Sequence, residues 1–250
     1  MEIVIFDVQG FMAHFRRFYS SVTALTYHFP PRNTVVGILA SILGYERDSY
    51  YEAFSRESSR VAVALRSPVR KVMLPTSYLD TDSISLRTLR GIHGTVPTSI
   101  EYLLAVPPHE SVSYRIFVTH SDRSMLNQLR RRLAERRFAY PVSLGSANCL
   151  ADARLVFAGE AVIEEGEGEE YPISTVIPQD AIPDRGLEPE EGTRIMLEER
   201  LPPDFGRGRT PTGPSKNYVF EPSGKPLRVR VRGEVFAVDT AEGRIYGVFM

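Results

Sequence analysis

The chain has one cysteine, Cys149, among its 250 residues. A single thiol excludes an internal disulfide framework and fits a reducing, cytoplasmic compartment. Long apolar runs are missing too. No stretch reaches the ~18 residues that a membrane-spanning helix needs. The opening MEIVIFDVQG lacks the basic start and cleavage site of a secretion signal and reads as a first strand. Lysine is scarce, at Lys71, Lys216 and Lys225 only. There is no G-x-x-x-x-G-K-[ST], no G-x-G-x-x-G after a strand and no G-x-S-x-G elbow. The five histidines (His14, His28, His93, His109, His120) lack metal-ligand spacing. Asp80 and Asp82 form a D-T-D that reads as a solvated turn. The expectation is no metal, no cofactor, no small-molecule substrate and no membrane.

What is present is arginine, unevenly placed. Residues 1–157 carry 19 Lys/Arg against 13 Asp/Glu, and the remainder 11 against 18. The formal net charge of -1 therefore hides a basic front and an acidic back. A basic front suits a polyanion, and guanidinium both forks onto phosphate and stacks on bases. An acidic back suits a protein partner or plain solubility.

Periodicity predicts a strand from residue 2, then a strong apolar helix over residues 32–44, closed by Gly44. A short helical piece is expected around 49–56, and strands at 61–67 and 112–119. An amphipathic helix spans 122–137, capped by Ser121 or Asp122. Another strand covers the segment ADARLVFAGEAVI. Residues 68–105 read as an extended hairpin excursion. This order predicts an α+β fold: a ferredoxin-like βαββαβ domain over residues 1–160 with the inserted hairpin. EEGEGEE (164–170) reads as an acidic, flexible turn. A smaller β-rich region is expected over 171–250, with strand candidates at 171–177, 194–197, 227–231, 235–239 and 245–249.

Four loops mix arginine with aromatic or turn residues: HFRRFY (14–19), TYHFPPR (26–32), SLRTLRGIHG (85–94) and GRGRTP (206–211). Arginine meets phosphates, and a ring offers a surface for an unpaired base. Phe15, Phe18 and Phe29 serve equally well as core. Pro30-Pro31 sets an extended entry to the helix at 32, and Asn33 is the expected cap. Arg32 at that helix start either meets an anion or pairs with a carboxylate.

FRRFYSSVTALTYHFPPRNTVVGILASILG resembles the N-terminal signature of the Cas-five family, RAMP-type (RRM-like) CRISPR-associated proteins of type I interference complexes. Phe15, Arg16, Phe18, Phe29, Pro30, Pro31, Arg32, Thr34 and Gly37 carry the likeness. PTSIEYLLAVP and YPVSLGSANCLADA support it. The resemblance implies a subunit of a Cascade-like complex in antiviral defence, holding the repeat-derived 5′ handle of the CRISPR RNA. Its implied partners are that RNA, the backbone subunit and the large subunit. It implies RNA contacts at Arg16, Arg17, Phe18, Tyr19 and Arg32, with Arg87, Arg90 and His93 on a thumb-like hairpin near RNA or a neighbouring subunit.

Two alternatives stay open. One branch of the family is a metal-independent endoribonuclease that processes pre-CRISPR RNA. That reading would use His14, His28, Tyr19 and Tyr27, but the branch's adjacent Lys-His pair is absent here. The other is a protein-interaction scaffold with little RNA affinity of its own.

Overall fold

The computed structural model describes every residue except 21–22, 80–84, 92–94, 189 and 203. In chain order the elements are β1 (Glu2–Gly10), β2 (Met12–Ala13), α1 (Arg32–Leu43), β3 (Ser59–Leu65), β4 (Val69–Leu79), α2 (Leu86–Leu89), β5 (Thr95–Ala105), β6 (Val112–His120), α3 (Arg123–Glu135), β7 (Ala151–Glu160) and β8 (Val162–Ile173). They continue with β9 (Ile177–Pro178), β10 (Met196–Leu201), β11 (Asp204–Phe205), β12 (Pro211–Thr212), β13 (Lys216–Phe220), β14 (Leu227–Thr240) and β15 (Gly243–Gly247). Strands dominate. None of the described helices is long and apolar enough to cross a membrane.

The centre is a four-stranded sheet in the order β3-β6-β1-β7, with every neighbour antiparallel. Its strands are apolar on both faces because both are covered. Val4, Phe6, Val8, Val63 and Ile116 pack under α1 and α3. Ile3, Ile5, Ala62, Ala64 and Phe117 pack against Phe236 and Val238 of β14. The Phe117 and Phe236 ring centroids lie 5.3 Å apart. Burial of this kind contributes about 25 cal/mol per Å² of apolar area.

Helix α1 ends as expected, with Gly44 at φ 89° and its N–H on the Ala40 carbonyl. Its start differs from expectation. Pro31 takes the cap position with no side-chain bond, and Asn33 lies inside the helix with Nδ2 buried and unpartnered. The Thr34 and Val35 amides instead find the Pro31 carbonyl, at 2.9 and 3.1 Å. Asp122 caps α3, accepting from the Ser124 N–H at 2.8 Å. The 49–56 piece is a series of turns rather than a helix.

Between β3 and β6 the chain makes the long hairpin of β4 and β5, paired from Val69↔Ala105 to Leu79↔Thr95. Little covers its outer half: Met73, Tyr78, Leu79 and Val96 are exposed.

The acidic segment at 164–170 is not a flexible turn. It is the middle of β8, paired with β14 as Arg230↔Glu170 and Arg232↔Glu167. Arg228 and Arg244 bind Glu170 and Glu164 at 3.3 and 2.9 Å. Opposed charge across the ladder makes an acidic strand tolerable. The two strands expected at 227–231 and 235–239 are one strand, β14. β13 was not expected at all.

Arg115 fastens the central sheet to the β14–β15 turn. Its guanidinium is 2% exposed, forks onto Asp7 at 2.7 and 2.8 Å, and reaches Glu242 at 2.8 and 3.0 Å. Arg115→Ala removes the buried guanidinium that joins Asp7 to Glu242, although Glu242 is about half exposed and keeps Arg66 at 3.3 Å. The expected loss is about 3 kcal/mol of unfolding free energy by urea titration. A loss under about 0.5 kcal/mol would show the pairing to be a surface contact.

Candidate nucleic-acid interface

Two of the arginine-aromatic loops prove to be one structure. Arg16 bridges Thr26, the Arg17 amide donates to the Leu25 carbonyl at 2.8 Å, and Tyr27 N–H donates to the Phe15 carbonyl at 2.9 Å. Extended backbone alternates its side chains. Phe15 goes inward beside Tyr114, at 5.6 Å between rings, while Arg16 goes outward. Phe18 and Tyr19 are 51% and 39% exposed and meet edge to face at 5.3 Å. Phe29 is fully buried against Tyr218 and Phe220.

Two carboxylates hold this strap from below. Glu198 of β10, almost fully buried, accepts from Arg17, from the His28 N–H at 2.9 Å and from His28 Nδ1 at 2.5 Å. Burial pushes the Glu198 carboxyl up, but bonding from His28 and the charges of His28 and Arg17 outweigh it, leaving it below the usual carboxylate value. Glu101 of β5 accepts from the Thr26 N–H at 2.9 Å and pairs with Lys71 at 3.5 Å. Burial pulls the Lys71 ammonium down, only partly opposed by Glu198 and Glu101. Arg17 also donates to the Tyr19 hydroxyl at 2.7 Å and lies 5.3 Å from the Tyr27 ring centre.

The residues singled out from the sequence therefore divide. Arg16, Phe18 and Tyr19 are all exposed on the strap, while Arg17 is half-buried and holds the Tyr19 hydroxyl. Arg32 is elsewhere: 3% exposed, it binds Asp204 and donates to the Phe54 carbonyl at 2.9 Å and to Ser59 O and Oγ at 3.0 Å. Of the two roles open to it, the structure shows the carboxylate pairing. Tyr27 is buried and donates its hydroxyl to the Arg200 carbonyl at 2.7 Å. His14 has Nδ1 on the Glu101 carbonyl at 2.8 Å, and burial lowers its pKa against that bond. Arg87 and Arg90 are exposed on α2, at the hairpin's end. His93 falls outside the described residues, as do Asp80 and Asp82. In the fourth loop, Arg209 pairs with Asp48 at 3.0 Å.

Sequence reasoning missed Glu101, Glu198 and Asp204. Glu101 sits within PTSIEYLLAVP, which the resemblance flagged as a strand without giving its acid a role. Glu198 and Asp204 have no local signal, since their arginine partners are 181 and 172 residues away. The loop containing Gly145 touches the strap as well. At φ 91° it approaches so closely that a Cβ would collide with the His14 carbonyl oxygen.

The family model of the CRISPR-associated protein (Cas_Cas5) matches residues 3–218. The chain belongs to the Cas5 family. Among solved structures it is similar to a CRISPR protein from Archaeoglobus fulgidus, at 15% identity over 99% of both chains with a TM-score of 0.59. This likeness bears on the fold. A chain of a CRISPR RNA-guided surveillance complex matches at 13% identity over 91% of this chain and 90% of that one, TM-score 0.48. A Cas protein crystal structure matches at 17% over 92% and 98%, TM-score 0.43. No protein of curated function matches the Cas5 chain.

Two substitutions separate the scaffold arginine from the exposed one. Arg32→Ala leaves Asp204 without its buried partner and is expected to cost about 3–5 kcal/mol in chemical unfolding. Arg16→Ala is expected to stay within about 0.5 kcal/mol of the parent. Equal costs would refute the division. Acid sensitivity follows from Glu198. Its carboxyl has a lowered pKa in the fold, so its stabilisation is present above the ordinary value of 4.5 and is lost as pH falls through the lower folded value. Glu198→Gln should flatten the loss of stability below about pH 4.5, read as melting temperature against pH. An unaltered acid limb would exclude this carboxylate as its source.

Proposed function

We propose that this Cas5-family chain is a non-catalytic RNA-binding subunit of a type I, Cascade-like interference complex in the cytoplasm. In this reading it holds the repeat-derived 5′ handle of the CRISPR RNA. The observation that carries it is the exposure of Arg16, Phe18 and Tyr19 on a strap bound by Glu101 and Glu198. Arg16 would meet handle phosphates, and the two rings would offer faces to unpaired bases. Arg17 would act through Tyr19, whose hydroxyl it holds.

We read residues 1–160 as a ferredoxin-like unit. Its elements β1, α1, β3, β6, α3 and β7 follow the βαββαβ order, and the sheet order β3-β6-β1-β7 is the one such a unit has. The hairpin within 68–105 is its insertion, and 171–250 its β-rich companion, with β8 bridging the two. The hairpin's exposed apolar side chains, including Leu86 at 73% and Leu89 at 61%, suit a neighbouring backbone subunit. Arg87 and Arg90 beside them suit RNA running between the subunits. The large subunit remains the expected third partner. Against catalysis stands the burial of two candidate groups, Tyr27 with its hydroxyl on the Arg200 carbonyl and His14 at 8% exposed.

The test is binding and integrity of end-labelled repeat RNA in EDTA. The expected result is uncut RNA, bound about tenfold more weakly by Arg16→Ala/Phe18→Ala, with a salt slope lower by ~0.7 for the lost phosphate contact. A discrete cut within the repeat would replace this reading with the nuclease. Parent-like binding by the variant would remove the strap from the RNA interface.

A further inference from the structure

Helix α3 carries an arginine run that the strap does not use. Its apolar stripe of Leu126, Leu129 and Leu133 is buried, so helical spacing turns Arg130 and Arg131 to solvent. Neighbouring arginines have structural roles. Arg132 donates to the Ile42 carbonyl at 3.1 Å, Arg136 to Asp152 at 2.7 Å, and Arg137 lies 3.8 Å from Glu135. Among the described residues Arg130 and Arg131 have no partner. Attraction to the helix C-terminus acts within the last turn and so accounts for Arg132 but not for these two.

Beside them is a recess of about 460 Å³, lined by Arg131, Arg132, Arg137 and Phe138 against one acid, Glu135. The chain then crosses α1, with Tyr140 N–H donating to the Ser41 carbonyl at 3.0 Å. There it borders a second recess of about 440 Å³ walled by Tyr140 and by the half-buried Tyr45 and Tyr50, which pack on Phe54 and Tyr51. Tyr140 is 48% exposed. Glu46 and Arg47 at this recess offset one another. The combination is therefore a positive end followed by a tyrosine-lined end.

We propose that this α1–α3 face is a second nucleic-acid surface, and that its occupant is a single strand. Unpaired guanidinium groups neutralise phosphates, and exposed rings stack on bases of any sequence. A duplex would keep its bases away from the tyrosines, and an acidic peptide would leave their faces unused. The face shares no residue with the strap, so the two sites are separable by mutation.

The experiment uses the full chain with fluorescent oligouridylate and oligothymidylate of about 20 nucleotides, titrated by anisotropy across a range of salt. All substituted side chains are exposed. Arg130→Ala/Arg131→Ala is expected to weaken binding about tenfold and lower the salt slope by about 1.4, two contacts at ~0.7 each. Tyr140→Ala is expected to weaken it about tenfold, and Tyr140→Phe to restore it. Weakening on both probes supports a strand of either sugar; weakening on one alone supports that sugar as the occupant. Unchanged affinity and slope on both probes overturn the inference, whatever Arg16→Ala does. Weakening by the α3 and Tyr140 variants while Arg16→Ala has no effect supports this surface and counts against the strap.

Discussion

Two carboxylates from one short stretch of the C-terminal region, Glu198 and Asp204, neutralise the arginines at both ends of the loop that leads into α1. Glu198 takes Arg17 and His28; Asp204 takes Arg32 and, at 2.9 Å, Arg56. A buried guanidinium without a counter-charge is too costly to keep. The strap, the start of α1 and the turns before β3 are therefore arranged only when β10 and β11 are docked. The C-terminal region is part of the site's foundation rather than an appendage. The strap's exposed edge is presented by charges that are themselves hidden.

The covered sheet bears on where the proposed RNA contacts lie. A four-stranded antiparallel sheet with helices on one side normally has a free face available for bases. Here Phe236 and Val238 of β14 close that face, and Arg115 bolts the closure to Asp7 and Glu242. The loop edge, the hairpin and the outer surface of the helices remain accessible, and each carries exposed arginine and aromatic side chains.

Much of this was legible in the sequence because it is local. The apolar periods of α1 and α3, the Gly44 stop and the Asp122 cap each depend on residues within a turn or two. So did the hairpin and the inward-outward ambiguity of the phenylalanines, which the structure resolves as Phe15 and Phe29 inside and Phe18 outside. Illegible were the pairings that join distant residues. EEGEGEE looks like a turn until the arginines of β14 are placed across from it. FPPR leaves Arg32 open to an anion or a carboxylate until Asp204 arrives. Asn33 looks like a cap until Pro31 takes the position one residue before the helix.

The uneven charge along the chain then acquires a meaning that net charge conceals. The acidic back does not simply repel what the basic front attracts. Part of it is consumed within its own sheet, where Glu164 and Glu170 meet Arg244 and Arg228. Another part crosses to the front as Glu198, Asp204, Glu234 and Glu242, which bind Arg17, Arg32, Arg60 and Arg115. Each such pairing withdraws an arginine from ligand binding and gives it to the fold. Among the arginines left over, Arg16 on the strap, Arg87 and Arg90 on the hairpin, and Arg130 and Arg131 on α3 are exposed, as are Arg70, Arg185, Arg194, Arg230 and Arg232. A phosphate backbone meets these side chains without displacing an internal carboxylate. In the proposed reading their placement, rather than the total basic charge, sets where a polyanion would gain from contact.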